Sequence, residues 1–238
     1  MAQQTEAVRR TPLTRDRVLR AAVALADDIG IEALSMRKLA KELGVVPMAL
    51  YKHVSNKEQL LDGMVDVVMG EIDPPVPGSD WKSAVRQRIL SARRALLGHP
   101  WTAQVMQSRS SPTPVVLAYM DSMIGMFRTG GFSVDLTHHA MHALGSRMMG
   151  ITQELFDASP APGGGAQTSA SQEGAQEYPY VMELAAAVAH DEGSVVGQGC
   201  DDQFEFEFAL DLLLDGFERL RDQGWSSADG LRGTGRYG

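Results

Sequence analysis

Between Leu34 and Met64 the chain reads LSMRKLAKELGVVPMALYKHVSNKEQLLDGM, and it collects there the side chains that could hold a polyanion. Arg37, Lys38, Lys41, Lys52 and Lys57 are cations. Tyr51, Lys52 and His53 place a hydroxyl, an ammonium and an imidazole in consecutive positions. These are donor types that phosphate oxygens accept from. Residues 1–57 hold ten Lys or Arg against six acids, a net charge of +4, in a chain of 238 residues whose formal net charge is −8. A basic head on an acidic body points to a head that alone meets nucleic acid. The same imbalance also suits a solvated face with no partner.

A second group with chemical spacing is HHAMH, containing His138, His139 and His142. Pairs three and four residues apart could offer imidazoles to zinc from one helical face. With no carboxylate read into the same turn, the trio suits pocket or interface histidines better than a metal site. Nucleophile–base pairs with supporting spacing, phosphate loops and complete metal sets are all missing, so neither an enzyme nor a cofactor is expected. Cys200 is the single cysteine, which excludes an intrachain disulfide and a cysteine-based zinc site. No apolar run approaches the roughly 20 residues of a membrane span. The first ten residues, MAQQTEAVRR, have no apolar signal-peptide core, so the expectation is a cytoplasmic protein.

The elements that must position these groups read as helices throughout, giving an all-α fold. Val18, Leu19, Ala22, Val23, Leu25, Ala26 and Ile29 form a helical stripe, with Thr14 as N-cap and Gly30 as a left-handed stop. Ser35 to Gly44 is a second helix, and Pro47 to His53 a third, with Pro47 tolerated in the first turn. Gly44 supplies the positive φ of a sharp interhelical turn, and Leu39, Leu43, Val45 and Leu50 are the packing positions. SNKE at 55–58 reads as a capping box that opens a helix to about Ile72. DPPVPGSD then breaks the chain. Helices follow from Trp81 to Leu97, Trp101 to Arg109, Val115 to Thr129, and from Val134, capped by Ser133, to Phe156. Residues 157–177 are Gly-, Ala-, Ser- and Pro-rich and read as a flexible loop. Tyr178 to His190 and Asp202 to Asp222 are helical, and the tail from Gly224 reads as frayed.

Two short helices around Leu43-Gly44-Val45 fit a helix-turn-helix, with Val46, Pro47, Met48, Ala49 and Lys52 facing outward. The residues Arg37, Leu39, Ala40, Leu43-Gly44-Val45, Leu50-Tyr51, His53-Val54, Lys57 and Leu60-Leu61 resemble the DNA-binding domain of the TetR family of transcriptional regulators. Three further stretches, DWKSAVRQRILSARRALLGHP, GGFSVDLTHHAMHALG and FALDLLLDGFERL, resemble the C-terminal domain of its tetracycline-repressor branch. The resemblance implies a helix-turn-helix domain with its connecting helix at 12–72, and an effector-binding and dimerisation domain at 79–222. By matched position, Arg37 would reach a base edge or phosphate. Val46, Pro47, Met48 and Ala49 would be the base-reading end, and Tyr51, His53 and Lys57 would hold phosphates. Lys52 replaces a more usual aromatic and adds a cation. Residues 46–49 offer no side-chain hydrogen bonds, so readout there falls to apolar contacts such as thymine methyls.

The resemblance further implies a homodimer on a palindromic operator, with helices 134–156 and 202–222 as the dimer seam. It also implies a small-molecule effector inside the C-terminal bundle. Candidate effector contacts are Trp101, Met106, Arg109, Met120, Met123, Phe127, His139, His142, Met149 and Gln153. A methionine stripe is also what an ordinary core contains. Met106 stands where tetracycline binders carry a metal-ligating histidine, so a hydrophobic effector other than chelated tetracycline is expected. The reading is a ligand-responsive repressor, with a DNA-binding regulator lacking a small-molecule inducer as the alternative.

Overall fold

The computed structural model describes residues 12–149, 178–180, 183 and 202–228, apart from the Met149 side chain. Every helix or strand among the described residues is helical: α1 (Arg15–Ile29), α2 (Met36–Glu42), α3 (Pro47–Leu50), α4 (Lys57–Met69), α5 (Trp81–Gly98), α6 (Trp101–Ser108), α7 (Pro114–Thr129), α8 (Val134–Met149) and α9 (Asp202–Asp222), with a short 3₁₀ turn at Ile31–Ala33. The chain divides into two compact units at Phe132–Ser133.

In the first unit α1 packs on α2 and α4, and α4 packs in turn on α5, α6 and α7. Val18, Leu19, Ala22, Val23 and Ala26 of α1 are buried as the periodicity predicts, together with Leu34, Leu39, Leu50, Leu60, Met64, Val65 and Val68. Thr14 caps α1 by accepting from the Arg17 N–H at 3.2 Å. Gly30 has the expected positive φ of 79°, but its ψ of 153° lies outside the left-handed helical region, and a 3₁₀ turn follows at once. The predicted cap of α4 moves by one residue. Asn56, not Ser55, accepts from the Gln59 N–H at 2.7 Å, while the Gln59 side chain accepts from the Ser55 N–H at 2.6 Å. Asparagine caps as well as serine does, and Gln59 reaches back from the N3 position to the N–H of the residue before the cap. The helix stops at Met69, and 3₁₀-type bonds carry the chain on to a buried Ile72.

Helix α7 ends in a Schellman motif. Gly131 takes φ 87°, the Phe132 N–H reaches the Phe127 carbonyl at 3.2 Å, and the two rings meet edge-on at 5.1 Å. Trp81 completes this cluster, 4.6 Å from Phe132 and 5.8 Å from Phe127.

In the second unit α8 packs on α9. Ser133 caps α8 as read from the sequence. The tail is not frayed up to Ala228: Ser227 donates to Asp135 from its N–H at 2.6 Å and its hydroxyl at 2.8 Å, and the Trp225 N–H reaches the Leu220 carbonyl. The expected continuation of α8 to Phe156, the 157–177 loop and most of the Tyr178–His190 helix lie outside the described residues.

Candidate nucleic-acid interface

Helices α2 and α3 are joined by a second Schellman turn, and the sequence requires it. Gly44 holds φ 65°, its N–H bonds the Lys41 carbonyl at 3.1 Å, and the Val45 N–H bonds the Ala40 carbonyl at 2.9 Å. A side chain at Gly44 would meet open space, so the glycine is needed for its backbone conformation alone. Ser35 starts α2 by accepting from the Lys38 N–H, and Pro47 occupies the first turn of α3, whose N-cap Val46 offers no side-chain acceptor. Strict helix is shorter than expected, ending at Leu50. One further turn carries the chain to Val54 through bonds from the His53 and Val54 N–H groups to the Leu50 carbonyl. Leu39, Leu50 and Val54 are buried beneath the pair, while Leu43 and Val45 are half-buried at its edge.

That packing decides the outward face. Val46 and Met48 are 67% and 70% exposed, two large apolar side chains on one short helix and its cap. Pro47, Tyr51 and Lys52 are exposed beside them, and Ala49 and His53 are half-buried. Arg37, Lys38 and Lys41 on α2 and Lys57 at the start of α4 are exposed as well. None of these five Lys and Arg residues pairs with a carboxylate among the described residues. Elsewhere in the same unit three arginines are ion-paired: Arg20 with Asp16 at 2.9 Å, Arg94 with Asp73 at 2.8 Å and Arg109 with Asp62 at 2.8 Å. Unpaired cations around an apolar tip suit a phosphate backbone flanking a groove of bases.

The helix that follows this face, α4, is held by polar contacts that the sequence did not signal. Arg109, just beyond α6, pairs with Asp62. The Thr113 hydroxyl donates to Asp66 at 2.5 Å. His99, between α5 and α6, sets Nδ1 2.9 Å from both carboxylate oxygens of Asp27 on α1 and Nε2 3.1 Å from Glu71. Trp101 donates from Nε1 to the same Asp27 at 2.6 Å, and Gln104 donates to Glu32 at 2.7 Å. Burial alone would pull the His99 pKa down, but hydrogen bonds and charge from Asp27 and Glu71 outweigh it and raise it above the ordinary value of 6.5. Partners 28 to 74 residues apart leave no periodic trace, so no sequence pattern marks Asp27, Asp62, Asp66, Glu71, His99 or Thr113.

The effector candidates fall in both units. In the first, Trp101 and Arg109 are already engaged as above, Met123 and Phe127 are buried, Met106 is half-buried and Met120 is exposed. In the second, His139 and His142 are exposed on α8. Contrary to the expectation of no nearby carboxylate, His139 lies 3.6 Å from Asp135 one turn earlier, and its ring meets Trp225 edge-on at 5.4 Å. The His138 and His142 rings lie 4.5 Å apart. Ser227, first by its backbone N–H and then by its hydroxyl, holds the Asp135 carboxyl below the usual carboxylate range. The Met149 side chain and Gln153 lie outside the described residues.

Comparison with known proteins gives two family matches: "Bacterial regulatory proteins, tetR family" over residues 18–64, and "Tetracyclin repressor-like, C-terminal domain" over residues 74–221. An HTH-type transcriptional regulator of Saccharopolyspora erythraea is 39% identical over 121 residues, covering 50% of this chain and 51% of that protein. The HTH-type transcriptional repressor DrrR1 of Streptomyces coeruleorubidus is 32% identical over 215 residues, covering 87% and 78% of the two chains. Among solved structures, apo ActR of Streptomyces coelicolor superposes with a TM-score of 0.66 at 27% identity, over 90% of this chain and 99% of that one. The same protein in complex with actinorhodin gives 0.58 at 25% identity, over 88% and 98%.

Proposed function

Because the chain belongs to the TetR family of bacterial transcriptional regulators, we propose that it is a dimeric repressor of a palindromic operator, released when a small hydrophobic molecule binds the 79–222 region. The observation that carries the DNA-binding part is the ring of unpaired cations around an exposed apolar tip at the end of a helix-turn-helix. In this reading residues 12–72 form the operator-binding domain with its connecting helix. Arg37 makes the base-specific hydrogen bonds, and Val46, Pro47, Met48 and Ala49 press on base edges. Tyr51, Lys52, His53 and Lys57 hold phosphates. Two copies place their α3 helices about one helical turn apart on DNA, roughly 34 Å. The face of α9 carrying Phe204, Phe208 and Leu212, all exposed, offers the apolar area for pairing with a second copy.

Release requires an effector with different affinities for two arrangements of the protein. The contacts from α6 and its flanks onto α4 supply a route, because whatever displaces Arg109 or Thr113 also frees Asp62 or Asp66. Trp101, Met106, Met120, Met123, Phe127, His139 and His142, with Met149 and Gln153, are the candidate contacts. A second reading, a regulator with no small-molecule inducer, is favoured by one observation: Trp101 and Arg109 are already satisfied by Asp27 and Asp62, and Phe127 is wholly buried among aromatic rings.

The test is an operator selected in vitro by the full-length protein, followed by a salt series and a panel of hydrophobic compounds that includes actinorhodin. Saturable release by a compound supports induction. Tight, salt-sensitive binding that no compound disturbs supports the second reading, and no selected sequence at all refutes operator recognition.

A further inference from the structure

His99 bridges two segments that have to keep their spacing if the DNA-reading head is to stay in one orientation. Asp27 lies in the last turn of α1, and Glu71 lies in the turn that closes α4. Both carboxylates converge on one imidazole at the α5–α6 junction. A neutral imidazole has one N–H and one lone pair, so it can donate to only one of them. The ring that satisfies both is the imidazolium.

We propose that His99 is a positioning residue for operator binding, a protonation-dependent clasp that ties α1 and the end of α4 to α6. The proposal rests on the repressor reading, in which the ligand-free arrangement is the one that binds DNA. The surrounding charges favour the clasp. Asp27 and Glu71 are the charged groups acting on the ring, and Glu71 also feels Arg20 of α1, which is paired with Asp16. Trp101 donates to Asp27 from α6 and fixes that carboxylate, so when His99 loses a proton its remaining N–H stays with Asp27. The lone pair on Nε2 then faces the Glu71 carboxylate, which is half in solvent, and that contact opens first. The sign follows from the raised pKa. The clasp is complete below the ordinary histidine value of 6.5 and is lost as pH rises through the higher folded value. Operator affinity falls in the same interval.

The experiment measures affinity for the selected operator from pH 5.8 to 8.2 with wild-type protein, His99→Gln and Glu71→Gln. Wild type is expected to lose about threefold to tenfold more affinity across this range than either variant, a charge-assisted hydrogen bond discounted for partial exposure. His53 is unchanged in all three proteins, so whatever it contributes cancels in the comparison. A His99→Gln profile parallel to wild type overturns the proposal, as does an NMR titration placing the His99 ring at or below the ordinary value. Should His99→Gln fold poorly, Glu71→Gln carries the comparison. If no operator is bound at any pH, the repressor reading fails, while the NMR titration of His99 and the pH profile of melting still report whether the clasp exists.

Discussion

The five unpaired cations set a quantitative expectation for DNA binding, and Lys57→Ala is the sharpest probe of it. Arg37, Lys38, Lys41, Lys52 and Lys57 are exposed and free of carboxylates among the described residues. Each cation that neutralises a phosphate releases condensed counterions, with a slope of about −0.9 in log K against log salt per contact. A dimer loses two such contacts when one lysine is removed, so the slope should become shallower by about 1.8. Between 50 and 200 mM salt the wild-type protein should then lose about twelvefold more affinity than the variant. Lys52→Ala should behave the same way if it touches phosphate, weakening all sequences evenly. Arg94→Ala is the control, because its guanidinium is exposed but held by Asp73 at 2.8 Å. Fluorescence anisotropy with a labelled operator reads all three slopes. If Lys57→Ala and Lys52→Ala run parallel to wild type, the cationic ring does not face phosphate. An altered slope in Arg94→Ala would show that pairing with a carboxylate does not separate bystander cations from binding ones.

Two stability predictions test the packing beneath the site. Alanine at Gly130 would put its Cβ 2.6 Å from both Cβ and Cγ of Trp81, the rigid root of that side chain, so α5 must move off α7. The expected loss is about 1–3 kcal/mol in urea unfolding. Gly63→Ala meets Leu19 Cδ2 at the same 2.6 Å, but that is the movable tip of a side chain, and a helix-interior alanine recovers about 1 kcal/mol in propensity. Equal losses would refute the distinction. Phe127→Ala should cost about 3–5 kcal/mol, well above the exposed Met120→Ala. Near-wild-type stability with lost effector binding would instead make Phe127 a ligand contact rather than a core residue.

Much of the fold could be read from local chemistry because local chemistry builds it. Thr14 and Ser133 cap helices where expected, Ser35 proves to be the cap of α2 rather than its first residue, Pro47 starts α3, and the glycine at 44 makes the turn that a Schellman motif demands. The local signal is ambiguous where two neighbours can each play the part. Ser55 and Asn56 are both good caps, and Gln59 rather than Glu58 decided between them by reaching back to the Ser55 N–H. The tail beyond Gly224 looked loose because its anchor, Asp135, lies 92 residues earlier. The exposed face around α3 was legible for a related reason. It consists of what is left outside once Leu39, Leu50 and Val54 are buried, and a helical repeat predicts that remainder. The candidate effector set was not legible in the same way, since methionines and aromatics fill cores and line cavities with identical spacing.

What the sequence left out is the grip on α4, and that grip bounds what an effector has to do. Asp62 and Asp66 are four residues apart and share one face of α4, where they hold Arg109 and Thr113. Gly63 lies against Leu19 of α1, whose side-chain tip would have to swing aside for a methyl group there. Helix α4 is therefore gripped by α1 through apolar contact and by the end of α6 and the start of α7 through ion pair and hydrogen bond. Part-buried as it is, Arg109 cannot simply be released, because an unpaired charge at such a site is costly. A molecule that pulls it from Asp62 has to bring its own acceptor and leave Asp62 facing water. To invert a 1:99 balance, the exchange and the rest of the contacts must discriminate the two arrangements by about 10⁴ in affinity. A purely apolar ligand leaves the Arg109–Asp62 pair intact, so its discrimination must come from the side-chain packing alone. An effector with an anionic or carbonyl acceptor beside an apolar body could act on both grips of α4 at once.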